Sequence, residues 1–338
     1  MSPRGNVRVA VLGAGAIAQV VHLPILSRMR GVEVAAVADK DPRTARTIAD
    51  RFGIAGGARE TEEVLADESV DAVVVCTPSN RHEDHVRAAL RAGKFVLCEK
   101  PLALTADGVE RVLAEEGAED RLLVAMNQRF RADARAIRSF VQSGELGDVF
   151  YLKAGWLNRA QPRGRTWRES KSAAGGGAFI DLGIQMLDLA LWMLGHPKAE
   201  RISAQMHRTR GSEVEDAAAL LLRLEGYRVI NLEASWNLLA AKDRQFLHVL
   251  GSAGSASLSP LAVYREMSTG LTEVTPQLPP GRENLFTASY RSELQHFVDV
   301  VRGEQPAGSS AREHVQLMRL VEAAYRSAEE RREVVLGE

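Results

Sequence analysis

The chain has 338 residues, 26% of them charged, and its 43 Lys and Arg against 44 Asp and Glu leave a formal charge of -1. That balance gives no global attraction to nucleic acid or to an anionic membrane, and no apolar run reaches the ~18 residues of a membrane helix, so neither is an expected partner. The length allows two domains with separate cores, and its two cysteines, Cys76 and Cys98, each end an apolar strand-like run and read as buried thiols of a cytoplasmic, reduced protein.

Val7 to Leu12 is an apolar run suited to a buried parallel strand. Gly13-Ala14-Gly15-Ala16-Ile17-Ala18 leads from it into a helix, and a second apolar run, Val32 to Ala38, ends on Asp39. In this order the parts make a dinucleotide site. Gly13 permits the tight turn, Gly15 lets backbone N–H groups approach a pyrophosphate, and small Ala18 lets helix and strand pack closely. The helix then directs its positive end at the phosphates, with Ala16 and Ile17 in its first turn. Asp39 stands 21 residues after Ala18, where its carboxylate accepts hydrogen bonds from both adenosine ribose hydroxyls. NAD is therefore the expected cofactor. Lys40 offsets the charge that would repel a 2'-phosphate, which leaves NADP open. The competing reading is a secretory signal built from Arg4, Arg8 and the apolar stretch Val9 to Ala18. It is rejected because cleavage there would destroy a complete nucleotide-binding start.

Up to about residue 125, strand-like and helix-like segments alternate, the pattern of a parallel sheet covered on both faces. Asp41-Pro42 opens one helix, and Thr61 with Glu62 and Glu63 opens another. Val70 to Cys76 reads as a strand ended by Pro78. Asn80 reads as the cap of a helix through Ala92, which Gly93 terminates. Phe95 to Cys98 is taken as the fifth strand and Leu122 to Met126 as the sixth, which puts the domain boundary between 126 and 127. The first domain is thus 1–126 and the second 127–338.

After the boundary a helix near 133–142 precedes strand-like runs near 148–157, 200–209, 215–224, 228–239 and 244–251. Consecutive strands predict a mostly antiparallel sheet and an α+β domain. Ala178 to Leu194 carries apolar residues at helical spacing, and helices near 288–302 and 311–330 close the chain. From Ile230 to Leu238 apolar and polar residues alternate. Ala217 to Leu224 and Phe246 to Leu250 are apolar on both sides, so the open face is either a self-association surface or is covered by a helix.

Glu99-Lys100-Pro101 follows its strand at the carboxyl end, the edge where ligands bind in an open α/β sheet. A lysine fixed there by proline, across a bond that permits the cis form, would stand near the nicotinamide. Lys100 can polarise a substrate carbonyl as an ammonium or take a hydroxyl proton as an amine.

These motifs, together with Cys76-Thr77-Pro78, Asn80 and His82, Trp167-Arg168, and Gly175-Gly176-Gly177-Ala178-Phe179-Ile180-Asp181-Leu182-Gly183, resemble the glucose-fructose oxidoreductase, inositol dehydrogenase and MocA family. The resemblance covers nearly the whole chain. It implies an α/β fold: a Rossmann doubly wound parallel sheet, then an α+β domain on a large open, mostly antiparallel sheet through which homodimers or homotetramers form. It also implies NAD(P)-dependent oxidation or reduction of sugars, polyols and related cyclic alcohols. Cys76, Thr77, Pro78, Asn80, His82, Glu99 and Lys100 fall among the implied cofactor contacts.

One position departs from the family. Its members commonly place an aspartate and, four residues on, an acid/base histidine; here the pair is Asp181 and Gln185. The spacing keeps both on one helix face, but an amide cannot exchange a proton near neutral pH. Three explanations compete. Lys100 handles the proton alone while Gln185 orients the substrate, Asp181 takes over through water, or the protein binds without efficient turnover. The last makes it a cofactor-binding sensor, and an NAD-assisted glycoside hydrolase is a third reading of the chain.

From Asn158 to Lys171 five cations, Arg159, Arg163, Arg165, Arg168 and Lys171, face one acid, Glu169. A long aperiodic segment of this kind serves as a lid over an anionic substrate or as a solvated loop, and both readings stand. Trp167 and Arg168 are its candidate substrate contacts. Asn127, Gln128, Arg129 and Phe130 either line the cleft, Gln128 toward cofactor and Arg129 toward substrate, or serve domain packing. His82 and His85 stand one turn apart without further ligands, so no metal is expected.

Overall fold

The structure, a computed structural model, describes residues 5–160, 166–268, 270–278, 284–307 and 311–337. Arg163 and Arg165 of the cationic segment lie outside the described residues. The chain forms two compact units, Met1–Asn127 with Thr287–Gln316 and Gln128–Phe286 with Leu317–Glu338. The first break falls one residue from the expected boundary. The return of Thr287–Gln316 to the first unit differs from the expected division. Its cause is the apolar stripe of the helix Leu285–Val301, whose Leu294, Phe297 and Val298 join the core cluster of Val9, Val11, Leu23 and Leu26.

In the first unit β1 (Val7–Leu12), β2 (Val32–Ala38), β3 (Ala72–Val75), β4 (Phe95–Glu99) and β5 (Leu122–Ala125) form a parallel sheet in the order β2-β1-β3-β4-β5. Their continuous burial explains why the runs are apolar throughout rather than alternating. The five apolar runs read as strands are these five strands, so Phe95–Glu99 is the fourth and not the fifth. Glu99 therefore ends the fourth strand and Leu122 begins the fifth.

Asp41 caps the helix Pro42–Phe52 by accepting from the Arg43 N–H at 3.1 Å, and Gly53 closes it. The helix Thr61–Ala66 is capped by Glu60 and not by Thr61; Glu60 and Glu63 satisfy each other's backbone in a reciprocal box. Asn80 lies in a short turn, Ser79–Arg81, that leads into the helix His82–Arg91. Leu12, Ala38, Val75 and Glu99 all end their strands on one edge, and the strand order reverses between β1 and β3, the crevice where such sheets bind ligands.

The second unit is built on β6 (Val149–Arg159), β7 (Ala199–His207), β8 (Ala217–Leu224), β9 (Arg228–Leu238), β10 (Arg244–Gly251), β11 (Gly254–Leu258), β12 (Leu261–Met267), β13 (Gly270–Glu273) and β14 (Val334–Val335). Their order is β13-β12-β11-β10-β6-β9-β8-β7-β14, and all pairs are antiparallel except β6 with β9. Leu220, Leu222, Ile230, Leu232, Leu247 and Val249 fill the core face. On the other face Leu221 is 48% and Leu250 38% exposed, so no described helix covers them. The helical stretch Lys171–Leu194 is long and apolar enough to cross a membrane, contrary to the expectation that no run is. However, 89% of its most apolar window is buried in the protein, which makes it the core helix of this unit.

Candidate active site

The glycine loop carries the features a pyrophosphate requires. Gly13 has φ +97°, and a Cβ there would lie 2.7 Å from the Cys76 carbonyl and the Thr77 nitrogen, so only glycine lets β1 pass this close to the end of β3. Gly15 is exposed, with open space where its side chain would be. The backbone N–H groups of Gly15, Ala16 and Ile17 make no hydrogen bond to a described residue. Three orphan donors around an open glycine fit a phosphate.

Asp39, at the end of β2, accepts from the Ala14 N–H at 2.8 Å and the Asp41 N–H at 2.9 Å. It therefore also holds the loop. A carboxylate has about four acceptor sites, so two remain for ribose hydroxyls. Lys40 is exposed beside it. The residues present fit a dinucleotide, and the first unit is an NAD-binding Rossmann domain.

The turn after β4 is braced from inside. His82 is buried, with Nδ1 2.7 Å from the Pro101 carbonyl and Nε2 2.8 Å from the Thr77 carbonyl. It ties the turn after β3 to the turn after β4, a strut and not a surface contact. Burial lowers its pKa, although the two carbonyls favour the charged ring. Thr77 Oγ1 is 3.0 Å from His85 Nδ1. Cys76 is buried against Gly13, burial raising its thiol, whereas Asn80 is exposed. The Lys100-Pro101 bond is cis. Lys100 is half-buried next to Glu99, whose carboxylate lies 2.8 Å from His22 Nε2. Burial alone would raise Glu99, but the bond from His22 and the charges of His22, Lys100 and His82 hold it below the usual range.

In the second unit the glycine triplet is a packing device. A Cβ on Gly176 would meet the Tyr325 hydroxyl at 1.8 Å, and one on Gly177 the Glu215 carbonyl at 1.8 Å. Glu215, 4% exposed, accepts at one oxygen from Gly177 N–H, Phe179 N–H and the Tyr325 hydroxyl, each at 2.9 Å. This anchors a π turn, Phe179–Gly183, that enters the helix Ile184–Leu194. Asp181 is half-buried, and its Oδ2 accepts from the Trp236 indole at 3.2 Å. Gln185 is 6% exposed, and its amide nitrogen donates back to the Asp181 carbonyl at 3.2 Å.

Trp236 also walls a cavity of about 540 Å³. Thr166, Ser170, Thr209 and Ser212 bring hydroxyls to it, and Glu169, Glu213 and Arg210 bring charges. Thr209 gives its proton to Asp216 and Ser212 gives its own to the Val214 carbonyl, so both oxygens are left as acceptors.

Other candidates land elsewhere. Arg129 is 3% exposed in a bidentate pair with Asp188, at 2.7 and 2.5 Å, a structural position within the second unit. Gln128 is 1% exposed and accepts weakly from Arg131 at 3.4 Å, its amide nitrogen having no partner among the described residues. Arg168 lies over the Trp167 ring at 4.9 Å, Arg159 is 3.4 Å from Asp243 and Lys171 4.0 Å from Glu329. The described cations of that segment thus already face a ring or a carboxylate. Among the described residues no group of three or more His, Cys, Asp or Glu is placed to hold a metal ion. Sequence reasoning missed Glu215, Tyr325 and Trp236; the only signal of the buried acid is the pair Glu215-Asp216 directly before the apolar strand Ala217–Leu224.

Two family matches divide the chain. Residues 7–127 match the oxidoreductase family NAD-binding Rossmann fold and residues 138–336 its C-terminal alpha/beta domain. The chain is similar to D-glucoside 3-dehydrogenase of Escherichia coli, 27% identical over 95% of both chains, and to inositol 2-dehydrogenase of Burkholderia lata, 32% identical over 90% of this chain and 89% of that one. Its fold superposes on the crystal structure of GenD2 from gentamicin A biosynthesis in complex with NAD, with TM-score 0.83, 27% identity and full coverage of both chains.

Proposed function

Because the chain belongs to the glucose-fructose oxidoreductase, inositol dehydrogenase and MocA family of NAD-binding oxidoreductases, we propose that it interconverts a secondary alcohol and a ketone on an uncharged sugar or polyol, with Lys100 as the acid/base. The observation that carries this reading is the braced turn after β4. His82 fixes the Pro101 carbonyl that directly follows Lys100 and ties it to the Thr77 carbonyl in the turn after β3, at the carboxyl edge that also holds the Gly13 turn and Asp39. NAD supplies the two-electron acceptor when bound. Lys100, as an amine, takes the hydroxyl proton during oxidation; as an ammonium it returns that proton and polarises the carbonyl during reduction. Asp181, held by Trp236, and Gln185 position the substrate hydroxyls through hydrogen bonds, and Asp39 selects NAD by engaging the ribose.

An uncharged substrate is supported by the Trp236 cavity, where two carboxylates accompany one guanidinium among hydroxyl acceptors, and by the described cations of 158–171, Arg159, Arg168 and Lys171, each of which already faces a ring or a carboxylate. Relatives with inositol and glucosides in their names agree with that class. The exposed Leu221 and Leu250 on the open face support self-association of the chain as a dimer or tetramer through the sheet, and the two free, buried thiols suit a reducing compartment. The test is NADH formation across neutral polyols and sugars and their phosphorylated counterparts; preference for the phosphorylated forms contradicts the uncharged-substrate reading. The sensor reading is favoured by one observation, the Gln185 amide turned back onto its own helix, and NAD binding with no turnover of any substrate in either direction would select it.

A further inference from the structure

Two histidines of one helix hold the same residue. His82 and His85 stand three apart at the start of the helix His82–Arg91, which puts them on one face. Nε2 of His82 lies 2.8 Å from the Thr77 carbonyl, and Nδ1 of His85 lies 3.0 Å from the Thr77 hydroxyl. Backbone and side chain of Thr77 are thus fixed by separate bonds. Thr77 is half-buried in the turn after β3, and its backbone nitrogen is so near Gly13 that a Cβ on that glycine would lie 2.7 Å away. It therefore borders the glycine loop in the crevice between β1 and β3, where the strand order reverses.

A hydroxyl has one proton to give and two lone pairs to offer, and the ring of His85 decides which of these a ligand meets. Burial, then Arg81 and His82, lower the pKa of His85, while Asp84 and Glu62 act in the other direction. The ring is therefore neutral at pH 7. Its Nε2 has no partner among the described residues, and a hydrogen on that nitrogen leaves Nδ1 as an acceptor. Thr77 then gives its proton to His85, and Oγ1 is left to accept. A dinucleotide brings acceptors in its pyrophosphate and donors in its ribose hydroxyls. Only the hydroxyls match Oγ1, and those of the adenosine ribose have Asp39 as their acceptor.

We propose that His85 is a positioning residue for the cofactor: by accepting the Thr77 proton at Nδ1, it makes Thr77 Oγ1 the acceptor for a hydroxyl of the nicotinamide-side ribose. Protonation of His85 reverses the bond. Nδ1–H then takes a lone pair of Oγ1 and frees the threonine proton, which competes with the ribose hydroxyl for the same space. NAD thus binds better to the neutral ring, so its affinity falls as pH drops through the His85 pKa, and by linkage NAD lowers that pKa further. The proposal needs NAD on the first unit and is independent of Lys100 as acid/base.

The test is calorimetry of the full-length native protein, His85→Leu and His85→Asn with NAD, ADP-ribose and ADP between pH 4.5 and 8, beside ¹⁵N-histidine NMR of His85 with and without NAD. At pH 8 His85→Leu is expected to bind NAD and ADP-ribose about fivefold more weakly than native, the loss of one hydrogen bond. ADP, which lacks the second ribose, should bind native and variant alike at every pH. His85→Asn, whose side-chain oxygen accepts without titrating, should rescue the affinity at pH 8 and abolish the fall at acid pH that the native protein shows. The NMR should find the His85 hydrogen on Nε2 and a lower pKa with NAD bound. Equal affinity of native and His85→Leu for NAD would overturn the proposal, as would an equal loss for ADP, which would place the effect on the pyrophosphate. Should a variant not fold, the native protein alone decides: a His85 hydrogen on Nδ1, or a pKa that NAD leaves unchanged, overturns it. None of these readouts needs turnover, so failure of every sugar substrate would remove the Lys100 reading and leave the role of His85 to be decided separately.

Discussion

Arg129→Ala separates a structural arginine from a substrate-binding one. Arg129 and Asp188 have side chains 4% and 2% exposed and share two hydrogen bonds, at 2.7 and 2.5 Å. Removing the guanidinium strands a carboxylate with almost no access to water. Breaking a buried pair from one side costs about 3–5 kcal/mol, far above the ~0–1 kcal/mol of a surface pair. All four tryptophans, Trp156, Trp167, Trp192 and Trp236, lie in the second unit, so their fluorescence during urea unfolding reports on the unit that holds the pair. With a urea slope of about 2 kcal/mol/M, the midpoint should fall by about 1.5–2.5 M. Replacing both partners, Arg129→Met with Asp188→Leu, should recover most of the loss, because neither charge is then left alone. KM of folded Arg129→Ala should stay within about twofold of the native value. A loss below about 1 kcal/mol together with a tenfold rise in KM would mean that the pair is not structural and would return Arg129 to the substrate.

Asp39→Ala should weaken NAD binding at least about tenfold, through lost ribose bonds and a loosened glycine loop, while NADP binding changes less; calorimetry with both cofactors reads the ratio, and an unchanged ratio would remove Asp39 from cofactor selection. Gln185→His should raise kcat if the missing acid/base limits the rate, with a new limb in the pH profile near the ordinary imidazole range; an unchanged kcat would show that Lys100 suffices. Glu293 makes stability pH-dependent. Its folded pKa is raised, so the folded state binds the extra proton and the native chain loses stability as pH rises above the unfolded value of about 4.3. Glu293→Gln should gain on the native protein by up to about 1.4 kcal/mol per pH unit above that value, as read by urea unfolding at pH 5 and 6; parallel curves would mean that the buried group is ionised.

The dinucleotide half is legible in the sequence because each of its parts has a local cause. Gly13, Gly15, the strand ending at Ala38 and Asp39 follow one another within a single βαβ unit, and Asp41-Pro42 announces its helix. Errors arise where the cause is distant in sequence. The helix Leu285–Val301 reads with its sequence neighbours, since nothing local records that its apolar stripe covers the parallel sheet. The glycine triplet before Asp181 is recognisable as a motif, but its reason, Glu215 and Tyr325 pressing on Gly177 and Gly176, lies 38 residues away or more. Arg129 reads as a cleft arginine until its partner 59 residues on is known, and the half-burial of Trp236 against Asp181 has no signature in an alternating strand.

Proton transfer by Lys100 during NAD-dependent oxidation of a sugar or polyol is the central step of the proposed reaction. It is probed by single-turnover NADH formation in the native protein and Lys100→Ala, on the best substrate of a polyol and sugar panel, with NAD affinity measured in parallel. Lys100→Ala should bind NAD within a few-fold of native and lose about 10²- to 10⁴-fold in rate. Native-like turnover by Lys100→Ala would mean that another group moves the proton.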